Sequence, residues 1–192
     1  MAAEHESVEL VGDELVGNIA RAALFAALMG ASSYVSFPNP ISPIPVTMQV
    51  LVVFLAGIFL GPVWGGVSMG LYLVAGGLGA PVFSGGSAGL APLVGPTAGY
   101  LWSYPIAAAL VGALVHGGVS LGDYRVSTVR LVGAMVAGTV VIYALGTVGF
   151  AYVQGVSLGT AFGLASAAFI PFETFKIAAA VGIVRSDAIA AN

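Results

Sequence analysis

Long apolar stretches with almost no charge set the narrowest limits on how this 192-residue chain can fold. The core of a bilayer needs about 20 mostly apolar residues per helix, with a range of about 17 to 25. Six stretches qualify or nearly qualify: residues 18–36, 47–61, 63–80, 98–116, 128–150 and 171–188. The second is short, and Gly61 and Pro62 separate it from the third. Because proline interrupts helical hydrogen bonding, we expect these two stretches to form a tight helical hairpin.

The composition agrees with a membrane protein. Charged residues make up 7% of the chain, hydrophobic residues make up 59%, and the mean hydropathy is +1.05. A soluble domain is about one quarter charged. The 28 glycines suit close helix packing, since small residues let backbones approach where lipid supplies no hydrophobic driving force. We therefore predict an all-α integral membrane fold, a bundle of six transmembrane helices.

Several classes of function are excluded by the residues present. A net charge of −3 offers no basic surface for a nucleic acid. The chain has no cysteine, and its two histidines, His5 and His116, lack the spacing of metal ligands, so no metal site is expected. The glycine-rich segment 77–90 lacks the lysine of a phosphate-binding loop, so the chain is not expected to hydrolyse ATP by that route.

An enzyme of the intramembrane serine protease class is also not expected. Such an enzyme needs a base beside its serine. His116, the one histidine in the membrane region, is predicted at the opposite end of the bundle from Ser84 and Ser87. The chain is therefore not predicted to be an enzyme.

The two ends of the chain differ from the apolar middle. The first 18 residues hold five of the eight acidic residues and no Lys or Arg, so they lack the positive region of a signal peptide. We predict an acidic cytoplasmic tail over residues 1–17, a membrane domain over 18–188 and a short C-terminal tail over 189–192.

Three long apolar loops are expected on one side of the membrane, over residues 36–49, 80–100 and 151–172. Non-helical backbone at membrane depth is tolerated where it is buried in protein or lines a cavity, so the loops are predicted to cap a pocket. The third is expected to contain a short helix over 157–169.

The distribution of basic residues predicts the orientation. Four of the five fall on the side of the chain termini: Arg21, Arg125, Arg130 and Arg185. The long loops carry no Lys or Arg. By the positive-inside rule, the termini are predicted in the cytoplasm of a plasma-membrane protein and the loops outside.

Lys176 alone breaks this pattern, near the outer end of the last helix, three positions after Glu173. Ionisable groups inside a span are costly, and they indicate a functional site by default. The plainer alternative is a salt bridge that only neutralises the pair. Facing three cavity-lining loops, Lys176 could meet a ligand carboxylate, and Glu173 could accept hydrogen bonds from ligand N–H groups.

Five segments resemble, in order and spacing, a known family over about residues 18–186. They are PVTMQ (45–49), LAGIFLGPVWG (55–65), LYLVAGGLGAPVFSGG (71–86), GPTAGYLWSYP (95–105) and PFETFK (171–176). The family is BioY, the biotin-specific substrate-binding (S) components of energy-coupling factor (ECF) transporters. The resemblance implies a six-helix S-component fold and one biotin bound near the outer face. It also implies docking onto a transmembrane coupling subunit that works with two ATP-binding-cassette ATPases, so ATP would act only through partners.

The chemistry of biotin suggests roles for individual residues. Its ureido ring needs an acceptor, its thiophane body an apolar wall, and its valerate carboxylate a cation or dipole. Glu173 is a candidate for the first and Lys176 for the last, although both groups could serve the same end of the ligand. The aromatic wall is expected to come from three side chains: Phe83, Tyr100 and Trp102.

Further polar groups fall within the matching motifs: Thr47, Gln49 and Thr97, together with the hydroxyl of Tyr100. For each, a helix cap or an interhelical hydrogen bond is the alternative to ligand contact. The sequence departs from the family at Glu173, where the family pattern resembles PGDxxK and has Asp. The extra methylene changes the reach of the carboxylate.

A row of small residues on the first helix predicts the partner surface. Ala23, Ala27 and Ala31 repeat every four residues, and S components resemble one another in using such a ridge to meet the coupling subunit. Packing within the bundle is the alternative. For the whole chain, the alternatives to a biotin receptor are an S component for another small vitamin and a membrane assembly subunit without ligand.

Overall fold

The computed structural model describes residues 12–39, 42, 44–121 and 126–186. Within these residues it has seven α-helices and two short strands. The helices are α1 (Asp13–Ser32), α2 (Gln49–Gly77), α3 (Ala91–Val94), α4 (Ala98–His116), α5 (Thr128–Gln154), α6 (Leu158–Ala165) and α7 (Ile170–Arg185). Strands β1 (Ser36–Phe37) and β2 (Val46–Thr47) pair antiparallel.

The ends of the chain are only partly described. Residues 1–11 and the predicted C-terminal tail lie outside the described residues, as does Arg125. The first helix begins at Asp13 rather than at the predicted residue 18. Asp13 and Glu14 stand in its first turn, where negative charge interacts favourably with the positive end of the helix dipole. Asp13 and Glu14 therefore belong to this helix instead of preceding it.

The predicted all-α membrane bundle is confirmed. Among the described residues, five helical segments are long and apolar enough to cross a membrane: α1, α2, α4, α5 and the run from α6 through α7. One of them, α2, doubles back at its centre, which gives the sixth membrane segment. The helix predicted over 98–116 has the same bounds in the structure.

The predicted hairpin is the fold-back in α2. Gly61 has φ 73° and ψ −178°, a conformation that is strained for residues with a Cβ, and Pro62 follows it. The first arm (residues 49–60) and the second arm (residues 62–77) then pack closely. A Cβ on Gly65 would lie 3.0 Å from the carbonyl oxygen of Ala56 and from Cα of Gly57. Gly65 thus packs within the hairpin, whereas a Cβ on Gly57 would meet the backbone of Ala108 and Gly112 on α4, so Gly57 allows α2 and α4 to approach closely.

Helix α4 packs against both α2 and α5 and occupies the middle of the bundle. Its Gly112 meets the backbone of Gly61 and Pro62 at the hairpin turn, so glycine is required there for the helices to touch. The core around this contact is apolar, with Phe54, Ile58 and other side chains fully buried. Close glycine contacts therefore set the distance between these helices.

Two of the long loops fold back onto the bundle. Phe83, in the loop between α2 and α3, is 1% exposed, and its ring lies on Gly76 and edge-on to Tyr72. Beyond α5, helix α6 confirms the short helix that the sequence predicts over 157–169. The Tyr100 hydroxyl on α4 donates to the carbonyl oxygen of Ala165, at the end of α6.

Candidate functional site

A cavity of about 300 Å³ lies where the loops meet the bundle. This volume is at the lower end of the range of roughly 300 to 1,000 Å³ for small-molecule sites. Most of its lining area is apolar. Its lining residues come from the β2 strand, the loop between α2 and α3, and helices α2, α3, α4, α5 and α7, with Phe169 preceding α7.

Two helices begin at this cavity. Gln49 and Val50 are the first residues of α2, and Thr97 precedes Ala98, the first residue of α4. Neither helix has a side-chain hydrogen bond at its cap. The first N–H groups of a helix carry a partial positive charge, so this region of the cavity suits an anionic or carbonyl group.

The most polar part of the site lies on α7. The Lys176 ammonium donates to Glu173 Oε1 at 2.6 Å, and the two residues are 4% and 2% exposed. The Tyr143 hydroxyl on α5 donates to the same oxygen at 2.8 Å. Lys176 and Tyr143 line the cavity. The Glu173 carboxylate links these two side chains, because both donate a hydrogen bond to its Oε1. The second carboxylate oxygen, Oε2, is buried and has no hydrogen-bond partner among the described residues.

A second polar group lies beside the start of α2. The Thr47 hydroxyl donates to Gln49 Oε1 at 3.1 Å, and the Gln49 amide donates to the Tyr72 hydroxyl at 2.7 Å. Thr47 and Gln49 both line the cavity. Each side chain thus makes an internal hydrogen bond, and Gln49 Nε2 keeps one further N–H.

The loop end of the cavity carries hydroxyl groups. Ser84 Oγ is buried and lacks a hydrogen-bond partner among the described residues. Thr97 donates to the carbonyl oxygen of Pro92 at 3.5 Å, the limit of a weak hydrogen bond. Ser84 and Thr97 both line the cavity here. The hydroxyl groups of these two residues therefore make at most one weak hydrogen bond to other described residues, and they can donate to a ligand.

Most of the sequence-predicted ligand residues meet at this one cavity. Six of the eight line it: Thr47, Gln49, Phe83, Thr97, Tyr100 and Lys176. Glu173 contacts the lining through Lys176 and Tyr143.

Trp102 is the exception and does not line the cavity. Its side chain is 55% exposed, and its indole N–H donates to the carbonyl oxygen of Leu93 at 3.0 Å. The reason is helical geometry: two residues after Tyr100, Trp102 lies on the other side of α4. The structure thus removes Trp102 from the predicted aromatic wall.

Sequence reasoning missed two cavity-lining tyrosines, Tyr104 and Tyr143. Tyr104 follows Tyr100 by four residues, so the helical period places it on the same face and could have identified it. Tyr143 lies inside an apolar span with no motif around it. Only the packing of α5 against α7 brings it to Glu173.

The predicted partner surface is exposed. Ala23, Ala27 and Ala31 all lie on the outer face of α1, whereas the neighbouring Ala22 is fully buried. Packing within the described bundle therefore does not account for the ridge.

The basic end of the bundle lies away from the cavity. Arg130 Nε donates to the carbonyl oxygen of Leu114 at 2.7 Å, near the end of α4, and Arg185 donates to that of Val126. The cavity lies at the beginning of α4, around Tyr100. Since α4 has 19 residues at about 1.5 Å each, the two ends are separated by most of a membrane thickness.

Comparison with known proteins gives concordant matches. A family model described as the BioY family matches residues 4–191. The chain is 37% identical over 163 residues to a probable biotin transporter BioY of Pyrococcus horikoshii, covering 85% of this chain and 91% of the relative. It is 38% identical over 170 residues to a biotin transporter BioY of Rhizobium etli, covering 85% and 89%.

One solved structure also matches. It is a crystal structure of the S-component for biotin from an ECF-type ABC transporter, with a TM-score of 0.78. The match covers 92% of this chain and 93% of the other, at 23% sequence identity. At that identity the match shows that the two chains share a fold.

Proposed function

This chain belongs to the BioY family, and from that membership we propose that it binds biotin as the S component of an ECF-type ABC transporter. It is proposed to be a receptor, not an enzyme. It is proposed to take up biotin together with a coupling subunit and two ATPases. The observation that carries the proposal is the meeting of six sequence-predicted ligand residues at one cavity near the loops.

The arrangement of charges supports one orientation of the ligand. Lys176 is already neutralised by Glu173 at 2.6 Å, so its ammonium is a poor partner for a carboxylate that would also face Glu173. A ureido group is uncharged, and its carbonyl oxygen can accept from an ammonium N–H. The ureido end is therefore proposed at Lys176, which changes the sequence-based pairing of Lys176 with the valerate.

The valerate carboxylate is proposed at the other polar region, towards Ser84 and Thr97. The hydroxyl of Ser84 has no hydrogen-bond partner among the described residues, and α4 begins at Ala98 without a side-chain cap. Hydroxyl and helix N–H groups stabilise anions without adding a formal charge. The thiophane ring and the chain would then lie along apolar side chains such as Phe83 and Leu101, which also line the cavity.

The proposed topology places the termini in the cytoplasm and the cavity at the outer face. The support is the separation between the cavity and the end of the bundle that holds Arg130 and Arg185. Positive residues are retained on the cytoplasmic side. The exposed Ala23, Ala27 and Ala31 ridge is the proposed surface for the coupling subunit.

The test is calorimetry on the purified, detergent-solubilised chain. Titration with biotin is expected to give saturable one-to-one binding, and riboflavin and thiamine are the controls. Binding of a control vitamin in place of biotin would mean that the chain is a receptor for that vitamin. Absence of all binding, in protein shown to be folded, would leave the fold standing and overturn the receptor function.

A further inference from the structure

Tyr143 has an unusual position for a residue in the middle of an apolar helix. It lines the cavity, and its hydroxyl donates to Glu173 Oε1 at 2.8 Å. The Lys176 ammonium donates to the same oxygen atom. Tyr143 and Lys176 are thus neighbours in the cavity wall, joined by one buried carboxylate.

The hydroxyl of Tyr143 can accept a hydrogen bond from a ligand but cannot donate one to it. A carboxylate accepts hydrogen bonds and does not donate them, so the single phenolic proton is committed to Glu173. The phenolic oxygen keeps lone-pair capacity, and among the described residues it makes no second hydrogen bond. Its hydrogen bond to a carboxylate raises the electron density on the oxygen, because hydrogen bonds in series polarise one another. Tyr143 therefore presents an acceptor.

The ring of Tyr143 is held in place on several sides. Its centroid lies 5.9 Å from that of Tyr100, edge-on, and 6.1 Å from that of Phe169. The backbone carbonyl oxygen of Tyr143 accepts a hydrogen bond from Ser166 Oγ at 3.4 Å. A group with so many contacts loses little freedom when a ligand binds, which favours selective recognition.

Lys176 and Tyr143 together form a donor beside an acceptor. This pair is complementary to a ligand in which a carbonyl oxygen adjoins an N–H group, as in a cyclic urea. We infer that Tyr143 Oη accepts a hydrogen bond from one ureido N–H while Lys176 donates to the ureido oxygen, so that Tyr143 determines specificity for the urea. The inference rests on the proposed function. A ligand without that N–H would face the acceptor unpaired, which burial makes costly.

The test combines a substitution with altered ligands. Tyr143→Phe keeps the ring and removes the oxygen. Affinity is measured by calorimetry for biotin and for its two cyclic carbamate analogues, in each of which one ring N–H is replaced by oxygen. We expect Tyr143→Phe to bind biotin about tenfold more weakly than the wild type. The same loss is expected for one carbamate, and little or no loss for the carbamate that lacks the N–H facing Tyr143.

The control is Tyr152→Phe, the same change on the same helix at a side chain that is 88% exposed. It should bind all three ligands as the wild type does. An equal loss for biotin and both carbamates would mean that Tyr143 only positions Glu173, and an unchanged affinity for biotin would mean that it makes no contact. Either result overturns the inference. If the wild type itself does not bind biotin, the proposed function fails instead.

Discussion

Lys176 and Glu173 show how a charge pair is accommodated inside an apolar bundle. Both are almost fully buried, and the hydroxyl of Tyr143 donates to the same carboxylate oxygen as the ammonium does. Burying charge is costly unless the groups are paired and hydrogen-bonded. Oε2 of Glu173 has no partner among the described residues, so the described contacts leave the pair short of one hydrogen bond.

Lys176→Met tests which end of the ligand the ammonium binds. The change removes the donor but keeps a side chain of similar length. If Lys176 binds the uncharged ureido group, the affinities for biotin and for biotin amide should fall by the same factor, about 10 to 100. Calorimetry with both ligands measures this.

A larger loss for biotin than for the amide would restore the pairing of Lys176 with the valerate carboxylate. The double variant Glu173→Gln, Lys176→Met is the stability control, because the single change leaves Glu173 buried without its cation. We expect the double variant to melt at a higher temperature than Lys176→Met alone.

At the scale of the helices, glycine contacts determine how the segments pack. The hairpin in α2 turns at Gly61, and α4 crosses that turn through Gly112. Lipid gives helices no hydrophobic reason to associate, so close backbone packing supplies much of the stabilisation. The cavity depends on this packing because α2 and α4 both begin at its wall.

Gly112→Ala is expected to destabilise the bundle by about 1 to 3 kcal/mol. Backbone atoms of Gly61 and Pro62 would lie within 2.8 Å of the added Cβ, and backbone has little room to shift. Thermal unfolding in detergent, followed by circular dichroism, measures the effect.

Gly133→Ala is the matched change, made in α5 where an added Cβ meets nothing within 4 Å. It should melt at or above the wild-type temperature, since alanine favours helix over glycine. If Gly112→Ala melts with the wild type, the contact between α4 and the hairpin turn does not limit stability.

At the scale of the whole molecule, the two ends of the bundle and one outer face have different proposed roles. The cavity lies at the end with the loops, the basic residues Arg130 and Arg185 lie at the other, and the alanine ridge faces outward on α1. Binding and docking are therefore separable, because the ridge does not line the cavity.

Ala27→Trp tests that separation. A bulky ring on the exposed ridge should weaken docking of the coupling subunit by about 10- to 100-fold through overpacking, and leave biotin binding in detergent unchanged. Uptake of labelled biotin, in cells that contain the partner subunits, is expected to fall accordingly.

The control is Val136→Trp, an equally bulky change at an exposed position of α5. It should leave uptake near the wild-type level. Normal uptake by Ala27→Trp would mean that the coupling subunit binds another face.

The apolar lengths and the Gly61-Pro62 break predicted the helices and the hairpin, because helix formation and its interruption are local properties of the chain. The motifs also named six ligand candidates that line one cavity in the structure. Trp102 lies outside this cavity because a motif does not show which face of the helix each member occupies, and Trp102 lies on a different face of α4 from Tyr100. The first helix begins earlier than predicted because acidic residues suit a helix start.

By itself, the sequence determined the all-helical membrane fold, the family and the charge pair on α7. Each of these depends on composition, local periodicity or short motifs. Only the tertiary structure decided that this pair is buried among other helices and that Tyr143 joins Glu173 from a helix 30 residues away along the chain. Contacts between distant helices follow from packing geometry, and no local pattern in either helix encodes which side chain it will meet.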